Sequence, residues 1–149
     1  MSKSDIRYPQ RRRIRECILR ALYEHEINPQ SPPFWSLEEG FTLFDIPFNK
    51  RDFGVRYLLK TLNLIDQLDE LISEYLIDWS IERISLIDRN LLRMGIFELL
   101  YEPDIPVEVT INELVELSKI YSDEESPAFV NAVLDRVARN HVAPQKLLL

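Results

Sequence analysis

The chain has 149 residues, 46% of them hydrophobic, and a formal net charge of −7 at pH 7, which suits one domain whose core needs no disulfide staples. Cys17 is the only cysteine, so an intrachain disulfide is excluded, and no apolar run approaches the roughly 18 residues of a membrane span. The N-terminus also lacks the apolar stretch of a signal peptide, so we expect a cytoplasmic protein that does not associate with membranes.

The first predicted helix is amphipathic and spans RRRIRECILRALYE, residues 11–24. Its apolar residues repeat at helical spacing and would face a core. We expect Arg13 and Arg15 at the two edges of this stripe, with packed stems and guanidinium groups in water. Residues 1–20 carry seven Lys or Arg and two Asp or Glu, a balance of +5, so residues 21–149 carry −12. This asymmetry is typical of proteins with a polyanion partner, although basic arms also serve solubility or pair with acidic groups of the same molecule.

The segments around this helix contain several prolines. Residues 1–9 have no apolar periodicity and are predicted to form a loose basic arm. The helix is predicted to end near Glu26, because prolines follow it. A second, shorter helix is predicted over residues 35–44, forming a hairpin with the first. The surrounding segment, residues 28–49, is rich in proline and aromatic residues and matches no motif that assigns it a role.

One long helix is predicted over residues 50–79, which lack proline and have apolar residues at every third or fourth position. A metal site in a helical bundle would need Glu-x-x-His pairs, and the sequence has none. The only histidines, His25 and His141, lack neighbours at ligand spacing, so no metal is expected. The acidic residues of the long helix lie off its apolar stripe and are expected on a solvated outer face: Asp66, Asp69, Glu70 and Glu74.

Three further helices are predicted in the C-terminal half. The first spans residues 85–101, with Ser85 as its N-cap, and ends before a proline. The second spans residues 107–121. The third begins at Ser126, which we predict to be its N-cap with Pro127 at the first helical position, and runs to about residue 139.

The pattern as a whole predicts an all-α protein in a single domain, residues 1–149. Its two helical halves are expected to cover residues 10–80 and 81–140 and to meet near residue 80, with loose termini at residues 1–9 and 140–149. With only three glycines, the chain has no glycine-rich loop for a nucleotide or methyl-donor cofactor, so no cofactor is expected.

Four sequence blocks together resemble the NusB family of bacterial transcription antitermination factors. They occur in the family's order and at its approximate spacing. The resemblance implies an all-helical protein of two packed three-helix subdomains without catalytic activity. The blocks are RRRIRECILRALYE at 11–24, DRNLLRMGIFELLYEPDIP at 88–106, INELVELSKIYS at 111–122 and FVNAVLDRVAR at 129–139.

The resemblance also implies a function. Family members pair with NusE, which is also a small-subunit ribosomal protein, and the pair binds the single-stranded boxA element of ribosomal RNA leader transcripts. That complex joins other Nus factors and RNA polymerase and suppresses premature termination. Arginine planes and aromatic rings suit the splayed bases of single-stranded RNA. The NusE-binding positions of the family map onto Asp88 and Glu125. The RNA-binding positions map onto Arg11, Arg12, Arg13, Arg15, Tyr23, Arg93 and Phe129.

Each of these assignments has a structural alternative. Arg13 is equally expected merely to flank the first helix, and Tyr23 and Phe129 also suit a partly buried or core position. The acidic residues 123–125 also suit a solvated loop before a helix N-terminus. For the whole chain, the alternative is a helical protein-interaction module, such as a homodimer that masks its RNA surface. It is motivated by more aromatic residues than a short hairpin needs, namely Phe34, Trp35, Phe41, Phe44 and Phe48.

Overall fold

The computed structural model describes residues 8–77 and 80–149. Within these residues the secondary structure is helical, with no strand, which confirms the all-α prediction. The predicted basic arm lies almost entirely outside the described residues. The chain divides into two compact units between Asn63 and Leu64, whereas the sequence predicted a division near residue 80.

The N-terminal unit contains three α-helices and one short 3₁₀ turn. Helix α1 packs against both α2 and α3, with the 3₁₀ turn immediately before α3. Helix α2 begins with a proline at its first helical position, where the missing N–H has no intrahelical partner to lose. The elements are α1 (Gln10–Ile27), α2 (Pro33–Leu43), the 3₁₀ turn (Phe48–Lys50) and α3 (Arg51–Asn63).

The predicted long helix over residues 50–79 is wrong in two respects, because it is interrupted at Leu64 and its second part ends at Glu74, while residues 78 and 79 lie outside the described residues. This residue has φ −105° and ψ 6°, outside the helical region, and a new helix, α4 (Ile65–Glu74), starts after it. The apolar periodicity continues through the break, since Leu68 and Ile72 are buried, so the hydrophobic pattern alone did not reveal it. Helix α4 packs against the first long helix of the C-terminal unit, which explains why the division falls before α4.

The C-terminal unit is built around one central helix, α5 (Leu86–Tyr101). Residues 90–99 are all buried, because α4, α6 and α7 each pack against α5. Ser85 is the predicted N-cap, and its Oγ accepts a hydrogen bond from the backbone N–H of Asp88 at 3.1 Å. The remaining elements are a 3₁₀ turn (Ile81–Arg83), α6 (Val107–Tyr121), α7 (Ser126–His141) and α8 (Pro144–Leu147).

The start of α7 differs from the prediction. Ser126 is the first residue of the helix rather than its cap, and the cap position is held by Glu125, whose side chain makes no capping bond. The Ser126 hydroxyl donates instead to Asp88 Oδ2 at 2.9 Å. The residue predicted to cap α7 therefore links α7 to α5.

The C-terminal tail is helical and anchored, which differs from the loose tail that the sequence predicted. Its short helix α8 buries Lys146, whose Nζ donates to three backbone carbonyls at the end of α5: Glu98 at 2.7 Å, Leu99 at 3.0 Å and Glu102 at 2.8 Å. These carbonyls lie at the C-terminal end of the helix, where the helix dipole favours a cation. Those of Glu98 and Glu102 also each accept a backbone N–H, from Glu102 at 3.1 Å and from Ile105 at 3.2 Å. Lys146 thus serves as a C-terminal cap for α5.

Candidate nucleic-acid interface

The charge of the chain is divided between its two units. Residues 1–63 carry eleven Lys or Arg and eight Asp or Glu, a net +3, whereas residues 64–149 carry seven and seventeen, a net −10. The positive charge is therefore concentrated in the N-terminal part of the chain, where it favours a polyanion partner over a basic one.

The first turn of α1 presents the predicted arginines to solvent. Arg12 and Arg13 are exposed and Arg11 is half-buried. The Arg13 side chain is 57% exposed and its Nη1 lies 3.3 Å from Glu16 Oε2, one turn along the helix. The Glu16 side chain is only 5% exposed, so the acidic end of this pair is enclosed and only the arginine end faces solvent. An RNA contact by Arg13 stays a prediction.

Arg11 is held between two aromatic rings. Its guanidinium carbon lies 3.8 Å from the ring centroid of Tyr8 and 4.1 Å from that of Phe53 on α3. Both distances are within the range of cation–π attraction. The stacking fixes the plane of the guanidinium next to the exposed Arg12.

The prediction for the Arg15 side chain is wrong, because its guanidinium is not in water. The residue is fully buried, at 0% exposure. The physical reason is that residues 14–19 are all buried, a stretch longer than the 3.6 residues of one helical turn. Helix α1 is thus enclosed on every side here, and the edge position inferred from a one-sided apolar stripe does not exist. An RNA contact by Arg15 stays a prediction, and it would require this enclosed side chain to reach solvent.

Tyr23 lies on the next part of α1 that reaches the surface. Its side chain is 37% exposed, and Arg20, one turn before it, is half-buried. Residues three apart on a helix are neighbours on its surface. Tyr23 is therefore only partly buried, and its role as a stacking platform for RNA stays a prediction.

A second group of aromatic and basic residues was missed by the sequence reasoning. It lies between α2 and the start of α3, where Arg51 places its guanidinium carbon 4.1 Å from the ring centroid of Phe48. Phe48 is 84% exposed. The alternation of aromatic and charged residues in FDIPFNKRDF, residues 44–53, was the signal that would have revealed it.

In the C-terminal unit, Arg93 is an internal ion-pair residue. It is 4% exposed, and it donates from Nε to Asp69 Oδ1 at 2.6 Å and from Nη2 to Asp69 Oδ2 at 2.7 Å. Its Nη1 donates to Asn90 Oδ1 at 3.0 Å. The expectation that Asp69 lies on a solvated outer face is therefore wrong, because Asp69 is the partner of Arg93. An RNA contact by Arg93 stays a prediction, and it would require this bidentate pair to open.

The two predicted partner-binding residues line one cavity together with Phe129. The cavity measures about 620 Å³, and its wall is formed by residues of α5 and α7 and the segments before them. Asp88 is nearly buried and accepts hydrogen bonds from the Ser122 hydroxyl at 2.7 Å and from Ser126. Glu125 is exposed and Phe129 is half-buried. Of the two carboxylates, Glu125 is thus the accessible one.

Within the described ranges, no group of three or more His, Cys, Asp or Glu residues is placed to hold a metal ion. No helix in that same part of the chain is long and apolar enough to cross a membrane. Cys17 is fully buried in α1, and burial raises the pKa of its thiol to about 12.

Comparison with known proteins identifies the family. The family model described as "NusB family" matches residues 12–139. The chain belongs to the NusB family.

Curated NusB relatives are similar over nearly the whole chain. The transcription antitermination protein NusB of Fervidobacterium nodosum is 41% identical over 143 residues, covering 93% of this chain and 97% of the relative. The NusB proteins of Thermotoga maritima and Myxococcus xanthus are 40% and 44% identical, covering 93% and 86% of this chain and 97% and 94% of those relatives. NusB-family antitermination factors are RNA-binding regulators and not enzymes, which agrees with the prediction that no catalysis is involved.

Solved NusB structures share the fold. The T. maritima NusB structure superposes with a TM-score of 0.87 at 38% identity and covers all of both chains. A structure described as antitermination factors NusB and NusE in complex with double-stranded RNA gives a TM-score of 0.80 at 25% identity, covering 91% of this chain and 99% of the other. The chain is therefore a NusB-family antitermination factor by sequence and by fold.

Proposed function

We propose that this NusB-family protein pairs with NusE and binds the single-stranded boxA element of ribosomal RNA leader transcripts. The complex acts in the cytoplasm, where it joins other Nus factors and RNA polymerase and prevents premature termination. The observation that carries the proposal is the first turn of α1, where Arg12 and Arg13 are exposed beside the stacked Arg11 in the positively charged unit.

The chemistry of this surface suits single-stranded RNA. Exposed guanidinium groups pair with phosphate oxygens, and the accessible part of Tyr23 offers a face on which a base can stack. Arg15 is buried within α1, and Arg93 holds α4 to α5, so both would act on RNA binding through the fold. Phe129 offers a partly exposed ring beside the cavity of the acidic unit.

The partner surface is proposed at the cavity beside α7. Glu125 is exposed there at the start of the helix, and Asp88 lies in the wall. An acidic surface complements a basic ribosomal protein and mainly raises the association rate and fixes orientation. The neighbouring structure that contains NusB, NusE and double-stranded RNA supports such a pairing for this chain.

The test is fluorescence anisotropy of a labelled boxA-type RNA at fixed salt, with and without equimolar NusE. A scrambled single strand and a duplex of the boxA sequence serve as competing probes, since the neighbouring complex contains double-stranded RNA. We expect the boxA single strand to bind tightest and NusE to tighten it further. Equal affinity for all three probes, or no binding in any condition, would contradict the proposal.

The double variant Arg12→Ala/Arg13→Ala tests the surface. It should weaken binding and lower the log–log salt slope by about 0.7 for each phosphate of a single strand that the variant no longer neutralises. The matched control is Arg139→Ala on α7, whose side chain is 76% exposed. It removes the same type of charge from the acidic unit and should change neither quantity. Glu125→Lys should reduce only the tightening that NusE provides.

A homodimer that covers α1 is the second candidate function. It is favoured by Trp35 and Leu43 on α2, each 64% exposed, because clustered exposed apolar side chains often mark a protein interface. Sedimentation equilibrium of the free protein tests it. A concentration-dependent dimer that RNA dissociates would support the masked form, whereas a monomer at every accessible concentration would remove it.

A further inference from the structure

The segment between α2 and α3 presents an aromatic ring to solvent. Phe48 is the first residue of the 3₁₀ turn and follows Pro47, which fixes the backbone before it. The side chain is 84% exposed, compared with 1% for Phe41 in the same unit. The ring of Phe48 thus contributes little to the core of the N-terminal unit.

One side of this ring is backed by a cation. The guanidinium carbon of Arg51 lies 4.1 Å from its centroid, and the Arg51 Nε donates to the backbone carbonyl of Ile46 at 2.9 Å. This bond links two residues five positions apart and fixes the guanidinium. Arg51 therefore stacks on the ring of Phe48, while the neighbouring Lys50 is exposed.

The same segment touches the first turn of α1 at both of its ends. The guanidinium carbon of Arg13 lies 5.1 Å from the ring centroid of Phe44, and that of Arg11 lies 4.1 Å from the ring of Phe53. Residues 44–53 and the first turn of α1 therefore belong to one continuous surface within the N-terminal unit. Arginine and aromatic side chains alternate across it.

We propose that Phe48 is a base-stacking residue of the RNA surface, with Arg51 supporting the ring and Lys50 contacting an adjacent phosphate. This inference rests on the proposed function and extends it to a segment for which the sequence offered no role. Surfaces for single-stranded RNA combine cations that follow the backbone with aromatic faces on which bases stack. Phe48 and its two basic neighbours supply both elements within one short segment.

Charge favours RNA over a protein as the occupant. The other strongly exposed aromatic residue of this region, Trp35 on α2, lines a cavity with Glu38 and Glu39, and these carboxylates would repel a phosphate backbone. The exposed ring of Phe48 is instead followed closely by Lys50 and Arg51. Trp35 is thus a matched control: an exposed aromatic side chain of the same unit in an acidic setting.

The experiment compares Phe48→Ala with Trp35→Ala in the boxA anisotropy assay, using the full chain with NusE. Phe48→Ala should weaken RNA binding about 5- to 150-fold, the effect of removing one base–aromatic stack. The slope of log affinity against log salt concentration should be the same for Phe48→Ala as for the wild type, because the variant removes no cation that pairs with a phosphate. Lys50→Ala should lower the slope by about 0.7. Phe48→Tyr should retain affinity and Phe48→Leu should lose it, which separates stacking from general apolar packing.

Several outcomes overturn the inference. If Phe48→Ala binds within twofold of the wild type while Arg12→Ala/Arg13→Ala weakens binding, the inference fails and the proposed function stands. If Trp35→Ala weakens binding as much as Phe48→Ala, removal of an exposed ring has a general effect and stacking at Phe48 is refuted. If Phe48→Ala changes only the sedimentation of the free protein, the ring contacts a second copy of the chain. If the wild type binds no RNA, both proposals fall together.

Discussion

Substitution of Arg93, which forms an ion pair with Asp69, tests whether Arg93 acts in folding or in RNA binding. Replacing Arg93 with Met keeps the packing of the aliphatic stem and removes the charge. The change deletes two hydrogen bonds to the Asp69 carboxylate, at 2.6 and 2.7 Å, and one to Asn90 at 3.0 Å. It leaves a carboxylate in a largely enclosed position without its cation.

The expected cost follows from burial. Removing one partner of a buried ion pair costs about 3–5 kcal/mol. The Arg93 side chain is 5% exposed but that of Asp69 is 27% exposed, so water can partly solvate the abandoned carboxylate. We therefore expect the lower end, about 3 kcal/mol, which lowers the melting temperature of a chain of this length by roughly 6–12 °C.

Urea unfolding of Arg93→Met, Asp69→Ala and the double variant measures the free energy of unfolding and the coupling between the two residues. The double variant should be less destabilised than the sum of the single variants, because the pair is removed only once. A decrease below about 1 kcal/mol in Arg93→Met would refute a stabilising pair. RNA affinity of the folded variant supplies the second readout. Unchanged affinity assigns Arg93 to the fold, whereas reduced affinity with unchanged stability shows that the pair opens to contact RNA.

Two further predictions concern packing and pH. A Cβ on Gly95 would lie 2.6 Å from both terminal methyl groups of Leu134 on α7, so Gly95→Ala should destabilise the protein by up to about 2 kcal/mol in urea unfolding, despite the better helix propensity of alanine; increased stability would contradict the packing argument. Burial lowers the pKa of Lys146 from 10.5 to about 8, against the opposing effect of Glu98 and Glu102. Between pH 8 and pH 10.5 the unfolded chain therefore binds this proton more tightly than the folded chain does. The free energy of unfolding of the wild type should rise relative to that of Lys146→Met across this window. Below pH 8 the two curves should run parallel. Parallel curves up to pH 10 would contradict the lowered pKa.

The sequence was most informative where local chemistry decides structure. Ser85 caps α5 as predicted, and the proline before α6 separates it from α5 as expected. The break at Leu64 escaped prediction because no glycine or proline marks it, and the continuing apolar spacing outweighed the one turn-favouring residue there, Asn63. A boundary that depends on tertiary packing leaves only a weak local signal.

The geometry around the predicted site residues was hard to predict from the sequence. Periodicity assigns a residue to one side of a helix, but it does not show how far neighbouring elements enclose that helix, which is why Arg15 was expected in water and is buried. The hydrogen bonds of Lys146 join positions that are 44 to 48 residues apart in the sequence. The Arg93–Asp69 pair joins positions that are 24 residues apart. Such long-range partners are specified by the fold and not by spacing.

The hydrogen bonds of Asp88 have a consequence for how this protein can diverge. Its two carboxylate oxygens accept from the hydroxyls of Ser122 and Ser126, which links the first turn of α5 to the end of α6 and the start of α7. The side chain of Glu125 makes no capping bond at the start of α7 and is exposed to solvent. A substitution at position 125 therefore changes the surface charge beside the cavity and leaves these hydrogen bonds intact, whereas a substitution at position 88 removes them. Two carboxylates at one cavity thus evolve under different constraints.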